Sequence, residues 1–316
     1  MGTLLVWSRR LRGCCKRMSQ SLYAPWTAQL HTAIQLAQNF LIQSRLPDAG
    51  WGYYAGIPQA YPEPTCYSLL ALSDTAFSPT TPLDWLASLV NPAGQLYLPN
   101  DDSPNWATSL LVIALSRLNQ LPAVQQASVN WLLAWKSNYI DTSYMGGLNG
   151  SLIGWSWISD TFSWVEPTSY AVLALKLAGQ GRHERVKEAE TLLFDRMCQP
   201  GGWNFGNPLV LGRPIEPSLP ETAIALFALQ DLPEAAGAIE KGLALLEQDT
   251  PRFPSALSLA LTILCLDVFD RPTDRYVELL LARQEADGSW RQGVWWTALA
   301  VLALKAAAGD ENVFQL

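Results

Sequence analysis

The sequence predicts an all-α fold in which an outer ring of six helices encloses an inner ring of six. Two patterns carry this prediction: apolar segments that share the spacing Thr-x5-Ala-Leu, and amphipathic segments that alternate with them along the chain. A helix that is apolar on every face must be enclosed by other helices, whereas an amphipathic helix keeps one polar face in water. A closed double ring encloses the first set, but an open superhelix would leave one face of each inner helix exposed.

The predicted inner helices carry the threonine repeat, and each has small alanine side chains where neighbouring backbones approach closely. In one segment, Ser255 replaces the threonine. Their continuous apolar character indicates that together they form the core of one domain. The six segments are 65–72, 108–115, 168–175, 222–229, 253–266 and 297–304.

The predicted outer helices each have one apolar stripe and one polar face. In 183–197, Val186, Ala189 and Leu193 recur at helical spacing, and charged residues occupy most other positions. Connections rich in glycine and aromatic residues lead from these helices into the inner ones, and any single tryptophan in them is interpreted first as a structural staple. The six outer segments are roughly 25–45, 83–91, 123–136, 183–197, 234–248 and 274–285.

The composition indicates a large core and argues against a nucleic-acid partner. Hydrophobic residues make up 49% of the chain and charged residues only 16%, so part of the surface must also be apolar. The formal net charge is −7, whereas a face that binds nucleic acid would be basic. No run of apolar residues is long enough to predict a transmembrane helix.

Residues 1–20 form a basic segment that is distinct from the single domain expected over 21–316. They contain five Arg or Lys residues and no acidic residue, and no apolar stretch typical of an export signal follows them. Two interpretations stay open: translation begins at Met18, or the segment is a surface-binding tail. Five cysteines without a Cys-x-x-Cys spacing favour a reduced, cytoplasmic protein.

Two short motifs resemble those of a known family. "QEADGSW" at 284–290 has the form Gln-x3-Gly-x-Trp, which is the repeat signature of squalene–hopene and oxidosqualene cyclases. "QPGGWNFG" at 199–206 resembles the Gly-Gly-aromatic repeats of protein prenyltransferase β-subunits. Over about 25–308 the chain therefore resembles the prenyltransferase and squalene-cyclase repeat family. The resemblance implies an (α/α)6 toroid with a central apolar cavity for an isoprenoid chain, and no metal or organic cofactor.

The zinc site of the protein prenyltransferases is not expected in this chain. "EPTCYSLL" resembles their Asp-x-Cys-Tyr-Ser motif, but Pro64 occupies the aspartate position. The two histidines, His31 and His183, both belong to predicted outer helices, so no histidine is available inside the ring for a tetrahedral site. We interpret Cys66 as a packed thiol. The Asp-Asp-x-x-Asp box of ionisation-type terpene synthases is absent as well.

Three glutamates at the starts of inner helices are the candidate catalytic acids. Hopene-type cyclases protonate an alkene with an Asp-x-Asp-Asp-Thr motif, and aligning its threonine with Thr168 places the middle aspartate on Glu166. The same register gives Glu63 in "YPEPTCY", and Glu221 opens a third helix in "LPETAIAL". Trp164 and Pro167 replace the other two aspartates of the motif.

Each glutamate also has a structural interpretation. A carboxylate in the first turn of a helix interacts favourably with the helix dipole, by ~0.3–1 kcal/mol, and this lowers its pKa. Burial among aromatic rings has the opposite effect, and a catalytic acid needs that increase. Because one reaction needs one initiating acid, at least one of Glu63 and Glu166 is expected to be structural.

Aromatic residues are expected to gather where the inner helices begin. Ring faces stabilise cations by about 0.5–2 kcal/mol each, and the same surfaces bury an isoprenoid chain. The candidate substrate-binding residues are Trp51, Tyr53, Tyr54, Trp106, Trp157, Phe162, Trp164, Trp203, Phe205, Trp295 and Trp296.

These residues support two hypotheses of different classes. The first is a terpene-cyclase-like enzyme in which Glu166 protonates an isoprenoid chain and aromatic rings guide the cation. The second is a non-catalytic toroid that binds an isoprenoid lipid, another apolar small molecule or a partner protein. An (α/α)6 carbohydrate-active enzyme is disfavoured because the rims are poor in charged residues. Peripheral contact between a cytoplasmic protein and a membrane surface stays open.

Overall fold

The protein is mostly helical in the computed structural model, which describes residues 27–98, 101–104, 106–139 and 148–316. The basic segment 1–20 and Met18 lie outside the described residues. Within the described ranges, no helix combines the length and the apolar character needed to cross a lipid bilayer. The helices are α1 (Thr27–Ser44), α2 (Pro62–Ala71), α3 (Thr80–Ser88), α4 (Ala107–Leu118), α5 (Pro122–Ala134), α6 (Val165–Leu177), α7 (Glu184–Asp195), α8 (Leu219–Leu229), α9 (Ala236–Asp249), α10 (Ala256–Val268), α11 (Asp274–Leu281) and α12 (Val294–Ala308).

The prediction of an all-α protein is confirmed, and each of the twelve predicted segments overlaps one helix. The even-numbered helices are the buried ones, and they contact one another in the order α2, α4, α6, α8, α10 and α12. The last of these, α12, contacts α2, so the series of contacts closes on itself. The odd-numbered helices pack against the even-numbered ones, as α5 does on α4 and α9 does on α8.

Two short antiparallel hairpins were not predicted from the sequence. Strands β1 (Tyr97–Leu98) and β2 (Asp101–Pro104) pair in the connection that leads into α4. Strands β3 (Leu209–Val210) and β4 (Arg213–Pro214) pair in the connection that leads into α8. Both lie in the connections that enter inner helices, so they add structure at the ends where those helices begin.

The repeated threonine fastens each connection to the inner helix that follows it. In five repeats its hydroxyl accepts a hydrogen bond from a backbone N–H of the connection, and each of these threonines is fully buried. Such a bond satisfies a backbone donor that has no water available. The donor and acceptor pairs are Trp51 and Thr65 (2.9 Å), Leu96 and Thr108 (3.1 Å), Trp155 and Thr168 (3.0 Å), Trp203 and Thr222 (2.9 Å), and Trp290 and Thr297 (3.1 Å).

The repeated tryptophan fastens the same connection to the outer helix that precedes it. Its indole N–H donates to a backbone carbonyl in the last turns of that helix, and its ring is buried. The pairs are Trp51 with Leu41 (2.6 Å), Trp155 with Leu132 (3.2 Å), Trp203 with Leu193 (2.6 Å), and Trp290 with Leu280 (2.9 Å). In these four repeats, threonine and tryptophan together therefore join the outer helix to its inner partner.

The glycine before two of these tryptophans is required by close packing. A Cβ atom on Gly50 would lie 2.1 Å from Oγ1 of Thr65, and one on Gly154 would lie 2.4 Å from Oγ1 of Thr168. Any side chain there would displace the threonine from its hydrogen bond. The Gly-Trp and threonine elements of the repeat thus form one structural unit.

The inner helices begin at one common end, which we call the N-terminal rim. At this rim the backbone N–H of Val294, which opens α12, donates to the carbonyl of Tyr53 before α2 (2.9 Å). Likewise the N–H of Val165, which opens α6, donates to the carbonyl of Phe205 before α8 (3.0 Å). Side chains in the first turns of the inner helices are therefore brought together at one end.

Candidate active site

Glu63, Glu166 and Glu221 occupy equivalent positions at the N-terminal rim. Glu63 and Glu166 are the second residues of α2 and α6, and Glu221 is the third residue of α8. Glu63 and Glu221 are buried, and Glu166 is half-buried. Burial raises the pKa of Glu166 well above its usual value, and the charges of Glu63 and Glu221 raise it further. The three glutamates thus stand in the first turns of three inner helices, and the charges of two of them act on the third.

Glu63 is bound to a tyrosine. Its Oε2 atom accepts a hydrogen bond of 2.6 Å from the hydroxyl of Tyr53, which lies in the connection before α2. Burial raises the pKa of Glu63 to about 7, and the bond from Tyr53 offsets part of this increase. The same environment raises the pKa of the Tyr53 hydroxyl, first by burial and then by the charge of Glu63. Tyr53 therefore remains a hydrogen-bond donor to this carboxyl.

Glu221 is held by the start of its own helix. Its carboxylate accepts a hydrogen bond from the hydroxyl of Ser218, which is the N-cap residue of α8. Pro220 occupies the first turn of the same helix, where its missing N–H costs no hydrogen bond. These contacts fit the helix-start interpretation that we considered for each glutamate.

Glu166 differs from the other two because no side chain in the described ranges bonds its carboxyl. Among the described residues, no hydrogen bond or ion pair involves its carboxyl group. Its side chain retains some exposed area, although burial is the largest cause of its raised pKa. A carboxyl group with a raised pKa favours its neutral O–H form. Glu166 can therefore present an acidic proton to a bound molecule rather than to a protein acceptor.

A pair of tyrosines lies one helical turn below two of the glutamates. Tyr67 and Tyr170 follow Glu63 and Glu166 by four residues, so each shares a helix face with its glutamate. Their hydroxyl oxygens are 2.6 Å apart, and both side chains are buried. The charges of Glu166 and Glu63 contribute to raising the pKa of both hydroxyls, which burial raises most. The pair spans the space between α2 and α6 beneath the carboxyl groups.

These tyrosines were not among the predicted site residues, although the sequence contains a signal for them. The repeated motif extends beyond Glu-Pro-Thr, since "EPTCY" and "EPTSY" both end in tyrosine at the position four residues after the glutamate. On a helix this spacing places the tyrosine and the glutamate on one face. The two residues that follow Glu-Pro-Thr in each repeat therefore predict that Tyr67 and Tyr170 occupy equivalent positions.

Most of the candidate aromatic residues form small clusters at the N-terminal rim. The Trp106 ring contacts Trp157 edge-on at 5.3 Å and lies 5.6 Å from Tyr170, so this cluster reaches the tyrosine pair. A cavity of only about 10 Å³ adjoins Trp106 and Pro167, which is the neighbour of Glu166. The other contacts are Phe162 with Trp164 (4.5 Å), Tyr53 with Trp295 (6.2 Å), and Tyr54 with Trp296 (5.6 Å).

Three other candidate aromatic residues lie outside these clusters. Trp51 and Trp203 are fully buried, and each is bonded to an outer helix as described above. Phe205 is 54% exposed, and its contribution at the rim is the backbone carbonyl that accepts from Val165. We assign Trp51 and Trp203 a structural role on this basis.

The raised pKa of Glu63 predicts that stability falls as the pH rises. Its usual value is 4.5 and its value in the folded chain is about 7. Between these values the folded chain keeps a proton that the unfolded chain has released, so the free energy of unfolding decreases with rising pH. We expect Glu63 alone to contribute a decrease of about 3 kcal/mol across this interval.

Denaturant unfolding at a series of pH values would measure this effect. Glu63→Gln keeps an oxygen acceptor for Tyr53 but cannot ionise, so its stability should depend less steeply on pH than that of the wild type. Glu166 acts in the same direction and accounts for part of the slope that remains. A wild-type protein whose stability rises between about pH 5 and pH 7 would contradict the assignment.

Comparison with known proteins identifies the fold. No protein-family model and no curated protein sequence matches the chain. Among solved structures, a protein from Actinoplanes superposes with a TM-score of 0.62 at 17% identity, covering 88% of this chain and 99% of that one. A variant of the type II terpene cyclase MstE from Scytonema, in complex with its substrate geranylgeranyl dihydroxybenzoate, superposes with a TM-score of 0.63 at 13% identity, covering 90% and 99%.

The protein shares the fold of a type II terpene cyclase. The substrate-free structure of MstE gives a similar result, with a TM-score of 0.61 at 14% identity over 89% of this chain and 99% of that chain. At such low identity the similarity concerns the fold, and one fold can carry different functions. The predicted resemblance to cyclases is thus confirmed at the level of the fold.

Proposed function

We propose that this protein is a terpene-cyclase-like enzyme in which Glu166 is the initiating acid. A single (α/α)6 toroid domain over 21–316 would receive an isoprenoid chain at the N-terminal rim. The observation that carries this proposal is the state of Glu166: its side chain is half-buried, its carboxyl has no hydrogen-bond or ion-pair partner among the described residues, and the charges of Glu63 and Glu221 raise its pKa. A general acid must hold its proton at the operating pH and release it to the substrate.

The proposed first step transfers one proton. The O–H bond of Glu166 breaks, a C–H bond forms at one carbon of an alkene or activated group, and positive charge develops on the adjacent carbon. Neighbouring double bonds then attack the cation and close rings, and a base finally removes a proton from carbon. Since one proton is gained and one is lost, the product is an isomer of the substrate.

The surroundings of Glu166 suit this chemistry. Trp106, Trp157 and Tyr170 form a connected aromatic cluster, and Tyr170 lies one helical turn from Glu166 on α6. Ring faces would stabilise the cation by about 0.5–2 kcal/mol each. MstE, which has the same fold, binds a geranylgeranyl compound as its substrate, and this supports an isoprenoid ligand.

The packing of the interior favours a second candidate, a non-catalytic protein that binds an isoprenoid or a partner protein. Ligand pockets usually enclose about 300–1,000 Å³. Between the described residues, the cavity beside Pro167 has about 10 Å³, and one near Leu72, Phe77 and Leu118 has about 130 Å³. Neither of these two cavities is lined by Glu166, and neither reaches that volume. A binding protein can hold a ligand on the aromatic rim without such a cavity.

An isotope experiment tests the two candidates. The full chain is incubated in D2O with farnesol, geranylgeraniol, squalene and geranylgeranyl dihydroxybenzoate, and lipids that purify with it are extracted and identified. The enzyme hypothesis predicts a cyclised isomer that contains one deuterium on carbon, because the proton of Glu166 exchanges with solvent. A bound lipid without turnover supports the binding protein. Neither bound lipid nor product would contradict both.

A further inference from the structure

The end of the inner ring opposite the N-terminal rim is covered by residues 311–316, which we call the closing segment. Helix α12 ends at Gly309, whose φ of +100° reverses the chain direction. Asn312 and Phe314 of the segment are buried, although the segment has no secondary structure of its own. A short irregular segment is buried only when its polar groups find partners.

The closing segment finds those partners on two inner helices and on the residue that follows a third. Asn312 donates to the carbonyl of Leu264 (2.9 Å) and to the carboxylate of Asp267 (3.0 Å) on α10. Arg117, in the last turn of α4, donates to the carbonyl of Val313 (2.8 Å). The backbone of the segment is therefore fixed across the ring rather than along one helix.

A glutamine directly after α8 completes this attachment. Gln230 donates to the carbonyl of Phe314 (2.8 Å), and its Oε1 accepts from the N–H of Leu316 (3.0 Å). The side-chain amide of Gln230 therefore both donates a hydrogen bond to the closing segment and accepts one from it. With the contacts to α4 and α10, these bonds hold Phe314 in a defined position.

The Phe314 side chain points into the middle of the inner ring. It is fully buried and stacks on Phe227 of α8, with ring centroids 4.6 Å apart. It also contacts the ring of Tyr67 of α2 edge-on at 6.5 Å. Because Tyr67 bonds Tyr170 of α6, these four rings form a continuous layer from α8 to α6.

We infer that Phe314, together with the tyrosine pair, forms the floor of the substrate site and sets the length of the isoprenoid chain that it accepts. This inference rests on the proposed function. Tyr67 and Tyr170 lie one turn, about 6 Å along the helix axis, below Glu63 and Glu166. A chain that enters from the rim and reaches Glu166 therefore meets this layer after about one helical turn. Phe314 supports the layer from below and excludes any deeper position.

A binding series tests the inference. The full chain and its Phe314→Ala and Phe314→Leu variants are titrated with farnesol, geranylgeraniol and squalene, and quenching of tryptophan fluorescence reports binding. Each additional buried methylene strengthens binding about fourfold, so one more buried isoprene unit strengthens it at least tenfold. We expect Phe314→Ala to raise the affinity for the longer chains relative to farnesol by at least about tenfold, and Phe314→Leu to have a smaller effect in the same direction.

The control is Phe253→Ala, because Phe253 is 68% exposed in the connection between α9 and α10. It should leave the order of affinities unchanged. If the folded Phe314 variants bind the series with the wild-type preference, the inference is wrong while the proposed function stands. If wild type and variants bind none of the three compounds, the proposed function fails and the floor fails with it. Binding that appears only in the Phe314 variants supports the floor and contradicts activity of the native chain.

Discussion

Glu166→Gln should lower the rate of product formation by about 10²–10⁴, the usual contribution of a positioned general acid. Glutamine has the size of glutamic acid and retains a carbonyl oxygen, but it has no acidic proton to transfer. Because no described side chain bonds the Glu166 carboxyl, the substitution breaks no contact, and the folded state should be preserved. The measurement is the yield of deuterated, cyclised isomer in D2O, with circular dichroism to check folding.

Glu216→Gln is the matched control, since Glu216 is exposed in the connection before α8 and should not affect the rate.

Glu63→Gln tests the effect of a neighbouring charge on Glu166. It removes a charge that raises the pKa of Glu166, so the loss of activity with rising pH should occur at lower pH than in wild type. A Glu166→Gln protein that retains wild-type turnover would eliminate Glu166 as the acid and leave the binding protein as the better candidate.

The arrangement of the helices could be predicted because its causes are local and repeated. Six apolar segments and six amphipathic ones each dictate which faces must be buried, and only a few arrangements satisfy all of them. The Gly-Trp and threonine elements recur because each joins one outer helix to one inner helix. The sequence shows that the Gly-Trp and threonine elements recur, but it does not show that they bond each other. The structure shows this bond, for example from the backbone N–H of Trp203 to the hydroxyl of Thr222.

The site was predictable to a smaller extent because its parts come from distant repeats. The position of Glu166 follows from its repeat, but its lack of a partner depends on where Tyr53 and Ser218 direct their hydroxyls. Those two side chains bond Glu63 and Glu221, and no side chain in the described part of the chain bonds the third carboxyl. Phe314 follows the last repeat and belongs to no repeated pattern. Nothing in the sequence therefore indicated that its side chain is buried between the inner helices and stacks on Phe227.

The largest effect on stability is expected from Trp203→Ala. Trp203 is fully buried and donates from its indole to the carbonyl of Leu193 and from its backbone to Thr222. Replacing a buried tryptophan by alanine removes its packing and leaves a cavity, so the free energy of unfolding should fall by about 3–5 kcal/mol. Thr222→Val keeps the shape but leaves the backbone N–H of Trp203 without an acceptor, and should cost about 1–3 kcal/mol.

Trp157→Ala separates this structural role from a role at the rim. Trp157 is half-buried and belongs to the aromatic cluster near Tyr170, so its loss should destabilise the fold less than the loss of Trp203. It should instead weaken the binding of geranylgeraniol, because the ring supplies apolar surface where the chain enters. Denaturant unfolding and fluorescence titration on both variants measure the two effects. If Trp203→Ala unfolds no more easily than Trp157→Ala, the repeated tryptophan does not hold the helices together. Its recurrence at one position of the repeat would then be explained by ligand binding.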